Sequence, residues 1–172
     1  MNAFRIKYLV SISIYTLITA FIILLQSTGL ATIQLGIASA VISLPLVLYA
    51  AFYFGPYGAS VLGFLAGAAT DVFSSTLTYN TIFMTALGFL AGLLMSHYFN
   101  RNIAAAAVVN FGGSAVYFFL KWMFVYAFSD PSAGFVLIRY SLPSFLYTAV
   151  LGFVLFFPIN LIFKKIDLRP SK

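Results

Sequence analysis

The sequence predicts an all-α membrane protein, a six-transmembrane-helix bundle formed as a single integral membrane domain over residues 1–172. Two observations predict this fold. Hydrophobic residues make up 63% of the chain and charged residues only 7%, whereas a soluble domain carries about 25% charged residues. The apolar runs also lack the alternation of a transmembrane β-strand, which leaves the helix as the structure that satisfies its backbone in lipid.

The first three spans are predicted from apolar runs that end at polar or turn-forming residues. The first, 8–25, is read as an uncleaved helix, because its apolar run exceeds the roughly 7 to 15 residues of a signal-peptide core. The second covers 33–54, with Pro45 as a tolerated kink, and the Gly-Pro-Tyr-Gly turn at 55–58 reverses the chain. The third covers 59–74 and is followed by a polar exit.

The last three spans are predicted in the same way. The fourth covers 81–98 and the fifth 103–128, with Asn102 as a plausible cap. After a hydrophilic loop, the sixth covers 139–163 and is followed by a polar tail. Because a span needs about 20 residues, six spans leave no room for a soluble domain.

The positions of Lys and Arg predict the orientation and explain the net charge of +6. Basic residues are concentrated in cytoplasmic loops of membrane proteins. With the N-terminus inside, the outer loops receive only Arg139, and the cytoplasmic side receives Arg5, Lys7, Arg101, Lys164, Lys165, Arg169 and Lys172. Both termini are therefore expected in the cytoplasm, and the positive charge reflects contact with the bilayer rather than with nucleic acid.

The composition argues against catalysis and against a bound cofactor. The chain has no cysteine, one histidine and three acidic residues, too few for a typical protein metal site. A Ser-His protease would need His97 and Ser114 at one depth, but the predicted spans place His97 at the inner boundary and Ser114 well inside the membrane. An aspartyl membrane protease would need two intramembrane aspartates, and Asp71 alone qualifies.

Asp71 is the one carboxylate inside an apolar span, where a charge costs about 2.5 to 3.5 kcal/mol. Gly63, Gly67 and Asp71 are spaced four residues apart and therefore share a helix face that lets another backbone approach closely. Three roles are open for Asp71: locking helices together or capping the next segment, contacting a partner, or relaying protons or substrate. The predicted depth also allows an intramembrane ion pair among Asp71, Lys121 and Arg139.

Two further groups of small residues are candidates for packing or binding. Gly88, Gly92 and Ser96 form a second stripe with a spacing of four, suited to packing within the chain or to docking a partner helix. In the fifth span, the apolar run is interrupted at Asn110, Gly112, Gly113 and Ser114. This interruption predicts either a bent packing helix or a broken helix that lines a ligand site.

The segment from Gly63 to Ser74, which reads GFLAGAATDVFS, resembles the MreD family of rod shape-determining membrane proteins. The family pattern is a glycine-rich third span that ends in Asp and a small residue. The chain length, the basic ends and a last span that opens with Leu-Pro-Ser at 142–144 and closes at Pro158 are also similar to MreD. The turn at 74–79 departs from the family pattern, since it reads SSTLTY where a Gly-Ser-Pro-Leu-Gly-like segment is usual.

The resemblance implies a non-catalytic subunit of the bacterial cell-wall elongation machinery in the cytoplasmic membrane. MreD-like proteins bind MreC, a single-span protein, and so connect MreB filaments to the wall-synthesising glycosyltransferase and transpeptidase. The implied fold is similar to that of the substrate-binding subunits of energy-coupling-factor transporters. The motif residues carried over as structural or partner-contact positions are Gly63, Gly67, Asp71 and Ser74.

Two other functions are open on the sequence. A substrate-binding membrane subunit of a vitamin-type transporter would have the same size and number of spans, but it would present a polar outer pocket, and the outer loops here are short. A small secondary transporter would need ion ligands near the membrane midplane, for which the break at 112–113 is the available sign.

Overall fold

The computed structural model describes residues 3–27, 34–35, 38–74, 79–98, 102–127 and 133–163. Nearly all of these residues are helical, as the composition predicts. The helices are α1 (Ala3–Ser27), α2 (Ser43–Ser74), α3 (Tyr79–His97), α4 (Ile103–Trp122), α5 (Ala133–Val136) and α6 (Leu142–Phe163). Two π-helical turns, Met123–Ala127 and Leu137–Ser141, extend α4 and join α5 to α6. Two-residue strands, β1 (Gln34–Leu35) and β2 (Ala38–Ser39), pair antiparallel between α1 and α2.

Five helices in the described residues are long and apolar enough to cross a membrane: Tyr8–Gln26, Ser43–Phe73, Tyr79–His97, Ile103–Ala127 and Ala133–Leu161. This confirms the prediction of an all-α protein with the helices of a multi-pass membrane protein. The predicted count of six complete spans is not confirmed. The difference arises in α2, which takes up most of both the second and the third predicted span.

Helix α2 consists of two halves, residues 43–54 and 56–74, that run in opposite directions. Gly55 separates them with φ 73° and ψ −170°, a conformation that glycine adopts readily because it has no Cβ. The hydroxyls of Tyr8 and Tyr15 in α1 donate to the carbonyls of Phe54 and Leu46, so the first half is antiparallel to α1. The second half runs back along the first, since Gly88 of α3 lies against both Val47 and Ala59, residues that a straight helix would separate by about 18 Å.

The first half of α2 is the centre of the bundle. Every residue from 43 to 52 is buried, and α1, α3, α4 and α6 surround it. On the α6 side, the Tyr49 hydroxyl donates to the Gly152 carbonyl at 2.8 Å and the backbone N–H of Val41 donates to Thr148 Oγ1 at 3.1 Å. At 1.5 Å per residue, this half is about 18 Å long, shorter than the roughly 30 Å core of a bilayer.

The structure corrects the start of the second predicted span. The helix begins at Ser43, not at residue 33, because the short strands and a loop precede it. Pro45 consequently lies in the first helical turn, where its missing N–H is not needed, and not at a kink within the span. The orientation inferred from the basic residues stays a prediction, because most of them lie outside the described part of the chain. This applies to the side chains of Arg5 and Lys7, to Arg101 and to the tail from Lys164.

We name the two ends of the bundle after residues that lie there. The Gly55 end holds the turn of α2 and the last turn of α3, where Gly92 lies against Pro56. The Asp71 end holds the end of α2, the start of α3 and the last turns of α4. These correspond to the predicted inner and outer sides, respectively.

Candidate functional site

Asp71 caps the N-terminus of α3 from the last turn of α2. Its Oδ1 accepts the backbone N–H of Asn80 at 3.2 Å, and its Oδ2 accepts the N–H of Thr81 at 2.8 Å and the Thr81 hydroxyl at 2.5 Å. The free N–H groups and the positive dipole of a helix N-terminus favour a carboxylate there. Of the roles considered for Asp71, the structure thus shows the capping contact. The turn at 75–78 lies outside the described residues.

The cap continues into α4 through the side chains of Asn80 and Tyr117, which were not among the residues singled out from the sequence. Tyr117 is buried, and its hydroxyl donates to Asn80 Oδ1 at 2.5 Å. Lys121 lies four residues further along α4, one helical turn beyond Tyr117. The guanidinium of Arg139 lies over the ring of Phe135, 5.2 Å from its centre. The structure therefore places Lys121 one helical turn beyond the side chain that continues the cap, while the contact it shows for Arg139 is aromatic.

The glycines of each stripe pack against the backbone of the other helix, inside the chain. A methyl group at Gly67 would lie 2.7 Å from the carbonyl oxygen of Asn80, and one at Gly88 would lie 2.6 Å from that of Ala59. Methyl groups at Gly63 and Gly92 would collide with the backbone of Met84 and Pro56. The second half of α2 and α3 thus form a close antiparallel pair, with these glycines inside the contact. Ser74 ends α2, and its side chain is outside the described part.

Helix α4 is continuous through the glycine pair in its middle, so the hypothesis of a broken helix there is wrong. Gly113 lies against the Leu48 side chain of the central helix half, whereas Gly112 faces open space. The side-chain nitrogen of Asn110 donates to the Ala149 carbonyl at 2.8 Å. Asn110 Oδ1 and Ser114 Oγ are both buried and have no hydrogen-bond partner among the described residues.

The structure separates His97 from Ser114. His97 is exposed at the Gly55 end, where its Nδ1 lies 2.9 Å from Ser96 Oγ and 3.1 Å from the Leu93 carbonyl. Ser114 is fully buried, and the adjacent Gly113 lies against Leu48 in the first half of α2. Within the described residues, no group of three or more His, Asp or Glu side chains could hold a metal ion.

A groove of about 330 Å³ lies between α4 and α6 on the outside of the bundle. Small residues and the Asn110 side chain contribute to its lining, while large side chains such as Phe111 and Phe153 border it. The lining residues are Ala107, Asn110, Phe111, Leu146, Ala149, Val150, Phe153 and Val154. Apart from Asn110, this lining is entirely apolar, unlike the polar pocket expected of a vitamin-binding subunit.

Comparisons of the chain with protein-family models, with curated proteins and with solved structures gave no match. A functional proposal therefore depends on the sequence resemblance and on the geometry of the chain itself.

Proposed function

We propose that this protein is a non-catalytic scaffold subunit of the bacterial cell-wall elongation complex, similar to MreD, that helps to set cell shape. It resides in the cytoplasmic membrane with both termini in the cytoplasm. Its direct partner is an MreC-like single-span membrane protein, through which it acts on the wall-synthesising glycosyltransferase and transpeptidase. The lipid bilayer is its other contact, and it binds neither nucleic acid nor a cofactor.

The observation that carries this proposal is the structural use of the motif that resembles MreD. Gly63 and Gly67 lie in the contact with α3, and Asp71 closes the same contact as a cap. The acid is engaged in three hydrogen bonds to α3, which suits a structural residue better than a group that must exchange protons during catalysis or transport. A buried carboxylate that serves helix packing supports a scaffold.

An affinity pull-down from the native membrane in mild detergent tests the proposal. The tagged protein should recover an MreC-like single-span protein, identified by mass spectrometry. Lys121→Gln serves as a second bait, because loss of a charge near Asp71 should leave a scaffold contact elsewhere unchanged. Recovery of an ATPase or of a bound vitamin, without a single-span protein, would overturn the scaffold and favour the transporter subunit.

A further inference from the structure

Two cationic side chains lie at the Asp71 end of the bundle, where the chain passes from α4 to α6. Lys121 is half-buried in the last turn of α4, and Arg139 is exposed on the π-helical turn before α6. Neither forms a salt bridge or donates a hydrogen bond within the described residues. Because basic residues are scarce on the outer side of membrane proteins, a pair of them on the predicted outer side indicates a specific use.

The length of α6 places Arg139 in the headgroup layer of the bilayer. The polar tail begins at Lys164, and about 20 residues cross the hydrocarbon core, so a crossing that ends at Phe163 starts near Ser144. Arg139 precedes that start by five residues. Its guanidinium lies over Phe135, 5.2 Å from the ring centre, so the side chain extends away from the core and towards the headgroups.

The ammonium of Lys121 belongs to the same layer. The rings of Phe111 and Phe145 are 4.9 Å apart, and Trp122 Nε1 donates to the Ala133 carbonyl at 2.8 Å. These two contacts align α4 antiparallel to the segment that leads into α6. Counted between them, Lys121 is level with the residues just after Ala133, which is where the guanidinium also lies.

Lys121 also faces the α6 side of α4. It follows Asn110 by eleven residues, about three helical turns, so the two side chains share one face of the helix. Asn110 donates to the Ala149 carbonyl of α6, which shows where that face is directed. The two cations are thus attached to neighbouring segments at one depth.

Exposed apolar side chains lie on the core side of these charges. Ile138 and Leu142, one turn apart, are 69% and 46% exposed, and both are closer to the core than the guanidinium. A phospholipid has the same order, since its phosphate lies in the headgroup layer and its acyl chains lie below. This surface therefore complements a phospholipid in charge and in the position of its apolar part, whereas a free phosphate ion would match the charges alone.

We propose that Lys121 and Arg139 bind the phosphate of an anionic phospholipid. The ammonium and the guanidinium donate to the phosphate oxygens, and Ile138 and Leu142 contact an acyl chain. This inference goes beyond the proposed function and does not depend on the partner protein, so the two can fail separately.

Lipid binding to the detergent-purified protein, measured by native mass spectrometry, tests the proposal. The protein is titrated with phosphatidylglycerol and, separately, with phosphatidylcholine of the same acyl chains. A basic residue near the membrane surface should raise the affinity for an anionic lipid roughly fivefold, so two should give the wild type a preference of roughly 25-fold for phosphatidylglycerol. The combined variant Lys121→Gln with Arg139→Gln should lose this preference.

Two further variants separate charge at this site from total charge and from folding. Arg169→Gln with Lys172→Gln removes the same charge from the polar tail and should keep the preference. Lys121→Arg with Arg139→Lys retains both charges and should keep it too. If the combined glutamine variant does not elute as folded protein, each single glutamine variant should still lower the preference roughly fivefold.

Each remaining outcome overturns the proposal. These outcomes are equal affinity of the wild type for the two lipids, a preference that survives loss of both cations, and a preference that the tail variant loses equally. Displacement of phosphatidylglycerol by excess inorganic phosphate would indicate a site for free phosphate. Asp130, an acid of the preceding loop, lies outside the described residues; if Asp130→Asn raised the affinity for phosphatidylglycerol roughly 25-fold, the cations would already have a partner.

Discussion

At the scale of single residues, Asp71 shows how one carboxylate is accommodated in an apolar bundle. Its two oxygens accept three hydrogen bonds at the start of α3, where the helix dipole is positive. Together these contacts offset a desolvation cost of about 2.5 to 3.5 kcal/mol.

Removal of this cap should destabilise the protein. Asp71→Ala is expected to lower the free energy of unfolding by about 1 to 2 kcal/mol, the range for loss of a helix cap, and Asp71→Asn by less, because one oxygen remains to accept. Titration with a denaturing detergent measures the change. Thr70→Ala is the control, since the Thr70 hydroxyl bonds only carbonyls of its own helix. A variant Asp71→Ala as stable as the control would contradict the capping role.

The bond between Tyr117 and Asn80 predicts a second effect. Tyr117→Phe leaves Asn80 Oδ1 buried without its donor, so we expect a loss of about 1 to 2 kcal/mol in the same titration. Tyr57→Phe is the matched control, because Tyr57 is 79% exposed. If Asn80→Ala is combined with Tyr117→Phe, the two losses should not add. Full additivity would show that the two side chains act independently.

Sequence spacing could predict part of this site. The four-residue spacing of Gly63, Gly67 and Asp71 was sufficient to place all three on one helix face, because that depends on helix geometry alone. The partners Asn80 and Tyr117 could not be predicted, since their positions depend on how α3 starts after the turn and on the rotation of α4. A tyrosine in the middle of an apolar span, whose hydroxyl needs a partner, was the available signal.

At the scale of elements, the glycines of α2 and α3 are predicted to behave differently from Gly112. Gly67→Ala and Gly88→Ala should each cost about 1 to 3 kcal/mol, because the added methyl groups meet backbone atoms that cannot move aside. Gly112→Ala should be neutral or stabilising by up to about 1 kcal/mol, since its methyl group meets no neighbour and alanine favours helix. Unfolding titrations of the three variants measure this order, and equal effects would contradict the tight helix pair.

The helices themselves were predictable to differing degrees. Apolar runs located α1, α3 and α4 within a few residues, because those segments are helical from one polar boundary to the next. The run at 33–54 misled the prediction, since hydropathy does not distinguish an apolar loop from an apolar helix. The described residues just before the helix form their hydrogen bonds with other elements instead, since the Gln26 side chain donates to the Ala40 carbonyl and the Val41 N–H donates to Thr148 Oγ1.

At the scale of the whole molecule, the reversal at Gly55 decides the topology. If both halves of α2 count as crossings, residues 57 and 98 lie on the side of the N-terminus and residue 134 lies on the opposite side. If the halves did not reverse and α2 crossed only once, residue 98 would lie on the side opposite the N-terminus and residue 134 on the same side as the N-terminus. For the topology in which both halves cross, the positive-inside rule places the N-terminus in the cytoplasm.

Cysteine labelling distinguishes these topologies directly, because the chain has no cysteine of its own. Tyr98→Cys and Gly134→Cys introduce thiols at exposed positions at opposite ends of the bundle. In intact cells, or spheroplasts if an outer membrane is present, a membrane-impermeant maleimide should label position 134, and label position 98 only after lysis. A protease that removes an N-terminal tag should likewise act only after lysis.

Labelling of position 98 in intact cells, with the tag still protected, would show that α2 crosses once and would contradict the reversal at Gly55. Labelling of position 98 together with loss of the tag would keep the reversal at Gly55 and invert the orientation.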